Sequence, residues 1–191
     1  MNSCRILVAG MGNIFLGDDG FGCEVIRQLL LRHWPDDVRI QDFGIRGFDL
    51  ACALLDEYEL ILLVDAVPRG ASPGTVFVIE PTNDELHAEF AADSPVETHA
   101  MHPLNVMRMV NSLGGRIRNL RIVGCEPADF GPEQEGRMGL SPIVESAVAK
   151  AIAVIEMQVA ERLAYVGESL RDSQAPVANM SAFDSESQAT I

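Results

Sequence analysis

The 191-residue sequence has few cysteines, few aromatic residues and half as many basic as acidic side chains. No cysteine belongs to a C-x-x-C pair, so a structural zinc site is not expected. All lie in apolar surroundings and predict buried, reduced thiols at Cys4, Cys23, Cys52 and Cys125. With 14 Lys and Arg against 28 Asp and Glu, the formal net charge is -14. This balance argues against nucleic-acid or anionic-membrane partners and is compatible with metal cations or basic peptides.

Long apolar segments are also missing. No stretch is long enough to span a bilayer. The N-terminus leads directly into a strand-like segment at residues 5–9, without the basic and apolar regions of a secretory signal. We therefore expect a cytoplasmic protein without membrane insertion. We also expect a monomer, although the sequence does not determine the oligomeric state. Hydrophobic residues make up 48% of the chain, which predicts a globular fold. Residues 1–166 are expected to form one domain, and the Ser-, Gln-, Asp- and Ala-rich residues 167–191 a polar, disordered tail.

Strands and helices alternate along the predicted domain. Apolar runs and alternating patterns predict strands at residues 5–9, 38–42, 60–65, 75–79 and 120–125. Helical spacing of apolar residues predicts helices at 19–34, 48–55, 101–113 and 142–162. The polar segment 81–98 is expected to be irregular. This alternation is typical of an α/β fold, here a three-layer sandwich in which helices flank a mainly parallel, twisted sheet of about five strands.

Aspartates lie where two of the predicted strands end. Asp18 and Asp19 are in the loop after the first strand, and Asp65 ends the most apolar strand. Because functional groups of parallel sheets gather at the carboxyl ends of the strands, we expect Asp19 and Asp65 to be neighbours. Two such carboxylates can hold a cation or share one catalytic proton. Helix capping is an alternative role for Asp18 and Asp19.

Two further features leave alternatives open. The glycines of Gly10-Met11-Gly12 are compatible with a dinucleotide loop, but Phe15 stands where that motif needs a third glycine. His99 and His102 are spaced to share one face of a helix, and one of them could complete a site of two carboxylates and one imidazole. Spacing along the chain does not by itself bring His99 to the aspartates.

The loop at residues 10–22 has the pattern G-x-G-N-x-x-x-x-D-D-G-x-G, which resembles the opening signature of the hydrogenase maturation proteases. Similar segments follow in the family's order: DFGIRG at 42–47, LVDA at 63–66, THAM at 98–101, and VGCEP at 123–127 followed by GLSP at 139–142. Each segment is modest alone, but the five together cover residues 5–163. The combination is specific to the family.

The resemblance implies an endopeptidase that docks on a nickel-loaded precursor of the [NiFe]-hydrogenase large subunit and cleaves its C-terminal extension. It implies metal contacts by Asp19, Asp65 and His99, with Asp19 and Asp65 also catalytic. The nickel is expected to arrive with the substrate. An aspartic-type and a metal-assisted mechanism both remain open, and a non-catalytic nickel-binding chaperone is the alternative function.

The same resemblance distributes supporting roles. Residues expected to shape the first loop are Gly10, Gly12, Asn13 and Asp18. Residues expected to dock the substrate are Gly44, Arg46 and Gly47, although an ordinary turn between strand and helix is an equally good interpretation. A one-step misalignment in the histidine segment would exchange His102 with His99, so the choice between these two histidines stays open.

Overall fold

The computed structural model of the chain describes residues 5–86, 103–131 and 135–172. In this part of the chain the strands are β1 (Ile6–Met11), β2 (Val38–Gly44), β3 (Leu60–Ala66), β4 (Val76–Ile79) and β5 (Leu120–Cys125). The helices are α1 (Phe21–Leu29), α2 (Gly47–Ala53), α3 (Asn83–Leu86), α4 (Pro103–Ser112) and α5 (Pro142–Asp172). One turn of 3-10 helix, Gly17–Gly20, directly precedes α1.

The strands form one sheet in the order β2-β1-β3-β5-β4. The first four strands in this order, β2, β1, β3 and β5, run parallel to one another. Strand β4 pairs antiparallel with β5 at the edge. Helices α1 and α5 cover one face of the sheet, while α2 and α4 cover the other. The predicted three-layer α/β sandwich with a mainly parallel five-stranded sheet is confirmed.

Strand β3 is the centre of the core, and every one of its residues is buried. Leu62 and Val64 contribute to the apolar layer beneath α1 and α5, whereas Ile61 and Leu63 contribute to the layer beneath α2 and α4. Burying each such side chain stabilises the fold by about 1.5–3 kcal/mol. The strand therefore holds the residue near its carboxyl end, Asp65, in a rigid part of the molecule.

Two helices end where the sequence did not predict. Helix α1 ends at Leu29 instead of residue 34, and the Trp34 indole N–H donates to the Leu29 carbonyl at 2.9 Å, which satisfies an acceptor at the helix end. Helix α5 continues past residue 162 to Asp172. The expected tail boundary at Gly167 therefore lies inside α5. The helix continues into a segment whose polar composition had predicted a disordered tail. Residues 173–191 of the expected tail lie outside the described residues.

The cysteines and the membrane expectation have separate outcomes. Cys23 and Cys125 are buried free thiols, but Cys52 is exposed, so the prediction for Cys52 is wrong. Cys4 lies outside the described residues. Leu50 and Ala51 take the buried side of α2, which leaves the next residue facing solvent. Within the described ranges, no helix is both long and apolar enough to cross a membrane.

Candidate active site

The loop after β1 turns back on itself at Gly12. This residue has a φ of 123°, and a Cβ here would lie 1.8 Å from the Asp19 carbonyl oxygen, so no other residue type fits. The Asn13 N–H donates to Asp19 Oδ2 at 2.7 Å. A phosphate bound at this amide would have to displace the carboxylate, which disfavours the dinucleotide alternative. The loop thus places Asp19 at the carboxyl edge of the sheet.

Asp65 lies next to this loop, on the strand adjacent to β1, and is only 6% exposed. Its Oδ1 accepts a hydrogen bond from the Ala66 N–H at 2.9 Å. Burial raises the pKa of Asp65 well above its usual range, and the charge of Asp19 raises it further. The structure therefore brings the two predicted carboxylates close enough for the charge of Asp19 to act on the ionisation of Asp65. A raised carboxyl pKa beside a second carboxylate is the arrangement that lets one acid hold a proton near neutral pH.

A stability measurement tests this coupling. Because the folded-state pKa of Asp65 is raised, its contribution to stability is complete below the unfolded value of 3.8 and is lost as pH rises through the folded value. Asp65→Asn should therefore be more stable than the native chain at pH 7, because the native chain must keep a buried, charged or strongly perturbed carboxyl group at this position. The difference should vanish towards pH 3.8. Urea unfolding at both pH values measures it, and equal or lower stability of the variant at pH 7 would contradict the burial argument.

Two further residues adjoin the pair, and neither was identified as a separate site residue from the sequence. The Cys23 thiol on α1 donates to the Gly12 carbonyl with a distance of 3.5 Å between the heavy atoms. Burial, followed by the charge and hydrogen bond of Asp42 and the charges of Asp19 and Asp65, raises the pKa of Cys23 to about 12. The thiol is therefore protonated and inert as a nucleophile at neutral pH.

Asp42 itself lies near the carboxyl end of β2, and its Oδ1 accepts a hydrogen bond from the Gly44 N–H at 2.9 Å. The sequence signal that selects Asp65, a carboxylate at the end of a predicted parallel strand, applies equally to Asp42. Three adjacent strands thus each bring an aspartate to the same edge of the sheet.

Asp18 has surroundings unlike those of Asp19. Its side chain is fully buried, and its Oδ2 accepts hydrogen bonds from the N–H groups of Ala128 at 2.8 Å and Asp129 at 3.0 Å. Ser141 donates its N–H to Oδ1 at 2.6 Å and its hydroxyl to Oδ2 at 2.9 Å. Burial acts to raise the pKa of Asp18, but these hydrogen bonds hold it below its usual range. Asp18 is therefore a buried carboxylate at the start of α5 and does not cap α1, whose N-cap is Gly20.

The expected docking loop connects β2 to α2. Gly44 has a φ of 52°, and Gly47 is the first residue of α2. The Arg46 guanidinium donates to the carbonyls of Phe43 at 3.1 Å and Asp42 at 2.6 Å, so it braces the turn it belongs to. Within the same loop and the start of α2, the apolar side chains of Ile45 and Phe48 are 63% and 61% exposed.

His99 and His102 lie outside the described residues, so their distance to the aspartates is not defined. Gly10, the remaining residue of the predicted loop set, lies in β1 beneath α1, where a Cβ would come within 2.5 Å of Ile26. Among residues 5–86, 103–131 and 135–172, no group of three or more His, Cys, Asp and Glu side chains is arranged to hold a metal ion. Of the three residues predicted to contact metal, the described part of the site thus contains Asp19 and Asp65.

Comparison with known proteins assigns the chain to a family. The family model for hydrogenase maturation proteases matches residues 23–158. The hydrogenase 2 maturation protease of Escherichia coli is 30% identical over 149 residues, which cover 78% of this chain and 86% of that protein. The hydrogenase expression/formation protein HupD of Bradyrhizobium diazoefficiens is 30% identical over 158 residues, 82% of this chain and 79% of HupD.

A solved structure shows the same fold. The hydrogenase maturating endopeptidase HybD from Escherichia coli superimposes with a TM-score of 0.66 at 26% identity, over 82% of this chain and 93% of HybD. The family model covers well over half of the chain, and the sequence relatives match most of their own length. The sheet with its flanking helices and the sequence relatives lead to one conclusion: the chain belongs to the hydrogenase maturation protease family, a family of peptidases.

Proposed function

We propose that this chain is the endopeptidase that removes the C-terminal extension of a nickel-loaded [NiFe]-hydrogenase large-subunit precursor. The observation that supports this most directly is the pairing of Asp19 with the buried Asp65 at the carboxyl edge of the sheet, where the charge of one raises the pKa of the other. Among the described residues, the charge that acts on the buried Asp65 carboxylate is that of a second carboxylate, Asp19. Perturbed carboxyl pairs of this kind are typical of catalytic sites.

The two carboxylates have distinct tasks in this proposal. Asp19, whose Oδ2 accepts the Asn13 N–H, presents its carboxyl group to the precursor. Asp65, whose pKa is raised, takes up and returns a proton during attack on the scissile peptide. Nickel carried by the precursor would polarise the scissile carbonyl or lower the pKa of an attacking water. The aspartic-type and the metal-assisted routes therefore use the same pair of side chains.

Nickel belongs to the substrate in this proposal. Asp19 and Asp65 offer oxygen ligands, which can occupy positions that the precursor leaves open. Imidazole is a good ligand for nickel, and we assign the third contact to His99. Cleavage would then proceed only on a precursor that has received its metal, because the three side chains engage it together.

The histidine assignment makes its own prediction. His99→Ala should lower precursor processing by about 10-fold or more, as expected when one of a set of cooperating ligands is lost. His102→Ala should process close to the native rate. Quantifying the shortened large subunit by gel electrophoresis after fixed times compares the two variants. The reverse order of effects would show that His102 holds the position assigned to His99.

The substrate is proposed to dock on the loop of Gly44, Arg46 and Gly47. This loop leaves β2 at the same edge of the sheet as the aspartates, and Arg46 is fastened to it by bonds to two backbone carbonyls. Exposed Ile45 and Phe48 offer apolar contact beside the acidic pair. Exposed apolar side chains next to a polar site are common where proteins bind partners.

The decisive experiment incubates the purified chain with purified large-subunit precursor, with and without nickel. A shift of the large subunit to a shorter form, found only with nickel, supports the proposed endopeptidase. Binding of the nickel-loaded precursor without cleavage would instead support the nickel-binding chaperone. Mass spectrometry of the released fragment identifies the cut, and a cut outside the C-terminal extension would contradict the proposal.

A further inference from the structure

We propose that residues 126–131 and 135–141, the described parts of the connection between β5 and α5, form a frame that sets the spacing of Asp19 and Asp65, with Asp18 and Glu126 as the two positioning residues. The inference rests on the proposed function for its link to catalysis. The claim that the frame holds the two segments depends only on contacts among the described residues. Neither Asp18 nor Glu126 is expected to touch the substrate, since both side chains are buried.

Asp18 fastens the loop that carries Asp19. Its carboxylate receives N–H groups from Ala128, Asp129 and Ser141, which lie more than 100 positions later in the chain. A second contact lies beside it, where the Gly17 N–H donates to the Arg137 carbonyl at 2.7 Å and the Arg137 N–H donates to the Phe15 carbonyl at 2.7 Å. The turn that carries Asp19 is therefore attached to the frame at Asp18 and at two residues before it, Phe15 and Gly17.

Arg137 is itself held within the frame. Its guanidinium pairs with the Asp129 carboxylate at 2.6 Å and donates to the Asp129 carbonyl at 2.9 Å. The Asp129 N–H is one of the groups bound by Asp18. Asp18 and Arg137, which make the two contacts between the loop of Asp19 and the frame, therefore both bind Asp129. This shared residue connects the two contacts into one unit.

Glu126 fastens the segment that follows Asp65, between β3 and β4. Its carboxylate is 5% exposed and accepts hydrogen bonds from the N–H groups of Arg69 at 2.8 Å and Gly70 at 3.1 Å. The backbone of Glu126 adds bonds to Gly74 and Thr75 at 2.8 and 2.9 Å. One residue thus holds most of the connection from β3 to β4, which is the segment that follows Asp65.

These contacts form a short path between the two catalytic carboxylates. From Asp18 the path crosses to Ala128, runs along the chain to Cys125, and crosses to Val67, whose N–H donates to the Cys125 carbonyl at 2.9 Å. Val67 is two residues from Asp65. Because catalytic groups must be held to within a fraction of an ångström, loosening either end should displace one carboxylate relative to the other.

The test uses Asp18→Asn and Glu126→Gln in the full chain. Each change keeps the size of the side chain but turns one acceptor oxygen into an N–H donor facing backbone N–H groups. The first readout is amide hydrogen exchange by NMR, which needs no substrate. The Asn13 amide, bound to Asp19 Oδ2, reports the placement of Asp19, and the Val67 amide reports the connection after Asp65.

We expect protection of the Asn13 amide to fall by about 10-fold or more in Asp18→Asn, and protection of the Val67 amide to fall similarly in Glu126→Gln. A matched control is Val148→Ala, a buried change in α5 away from both loops, compared below its melting temperature. It should leave both amides protected. If the two amides keep their protection in the frame variants, or lose it equally in the control, the inference is wrong.

The second readout separates catalysis from binding in the cleavage assay. Both frame variants should lower kcat by about 10-fold or more while KM changes little, because the carboxylates are misplaced and the docking loop is intact. A loss confined to KM would overturn the positioning role. If the native chain leaves the precursor uncut, the proposed function fails, but the exchange measurements still decide whether the frame holds Asp19 and the segment after Asp65.

Discussion

Asp19→Asn and Asp65→Asn should each lower processing of the nickel-loaded precursor by at least about 100-fold, the scale on which a general acid or base contributes. Asparagine keeps the shape of the side chain, but near neutral pH it neither ionises nor acts as a general acid or base. Asp19→Asn should also relieve the charge that raises the pKa of Asp65. The initial rate of appearance of the shortened large subunit measures both effects.

The control for these variants is Asp36→Asn, a change of the same chemistry at an exposed position. Asp36 lies in the turn before β2, at the amino ends of the strands and away from the carboxyl ends where Asp19 and Asp65 lie. It should process at the native rate. Circular dichroism of all three variants should be unchanged, because the asparagine amide oxygen can still accept the bonds from Asn13 and Ala66. Full processing by Asp19→Asn and by Asp65→Asn would remove the pair from the site.

Gly22→Ala should destabilise the fold by about 3 kcal/mol or more, at the upper end of the cost of overpacking. Helix α1 crosses the sheet at this residue so closely that a Cβ on Gly22 would lie 2.2 Å from the Val64 carbonyl oxygen and 2.3 Å from that of Met11. Both atoms belong to the backbone of buried strands, so neither can move aside as a side chain would. Urea unfolding gives the change in free energy, and a soluble yield far below native would be consistent with it.

A second glycine serves as a control that separates the cost of steric contact from the cost of backbone strain. Gly114 follows α4 with a φ of 80°, and nothing lies within 4 Å of its ideal Cβ. Gly114→Ala should therefore cost only the left-handed backbone penalty of about 1–2 kcal/mol. Equal losses in the two variants would show that close packing of α1 against β1 and β3 is not what requires glycine at position 22.

Much of the fold was predictable because its signals are local. The apolar runs identify β1, β3 and β5 to within two residues, since a strand buried on both faces must be continuously apolar. Helix ends were harder to predict. The bond from Trp34 to Leu29 accompanies the early end of α1, and packing against α1 and the sheet accompanies the long course of α5. Such contacts have no counterpart in helical periodicity.

The candidate site divides in the same way. The rule that carboxyl ends of parallel strands share one edge brings Asp19 and Asp65 together from sequence alone, and it extends to Asp42. It does not distinguish Asp18 from Asp19, because adjacent residues of a loop have the same local pattern. In the structure their surroundings differ: the Asp18 carboxylate is fully buried and bound by distant N–H groups, whereas Asp19 is partly exposed and accepts a bond from the nearby Asn13 N–H.

The sequence by itself determined the α/β class, the proximity of Asp19 to Asp65, and the family to which the chain belongs. These conclusions depend on patterns within short segments and on the order of those segments. Only the tertiary structure decided what holds the pair. The donors that bind Asp18 lie 110 to 123 positions away, and those that bind Glu126 lie 56 and 57 positions away. Hydrogen bonds between distant loops depend on how the chain closes in space, which no local pattern encodes.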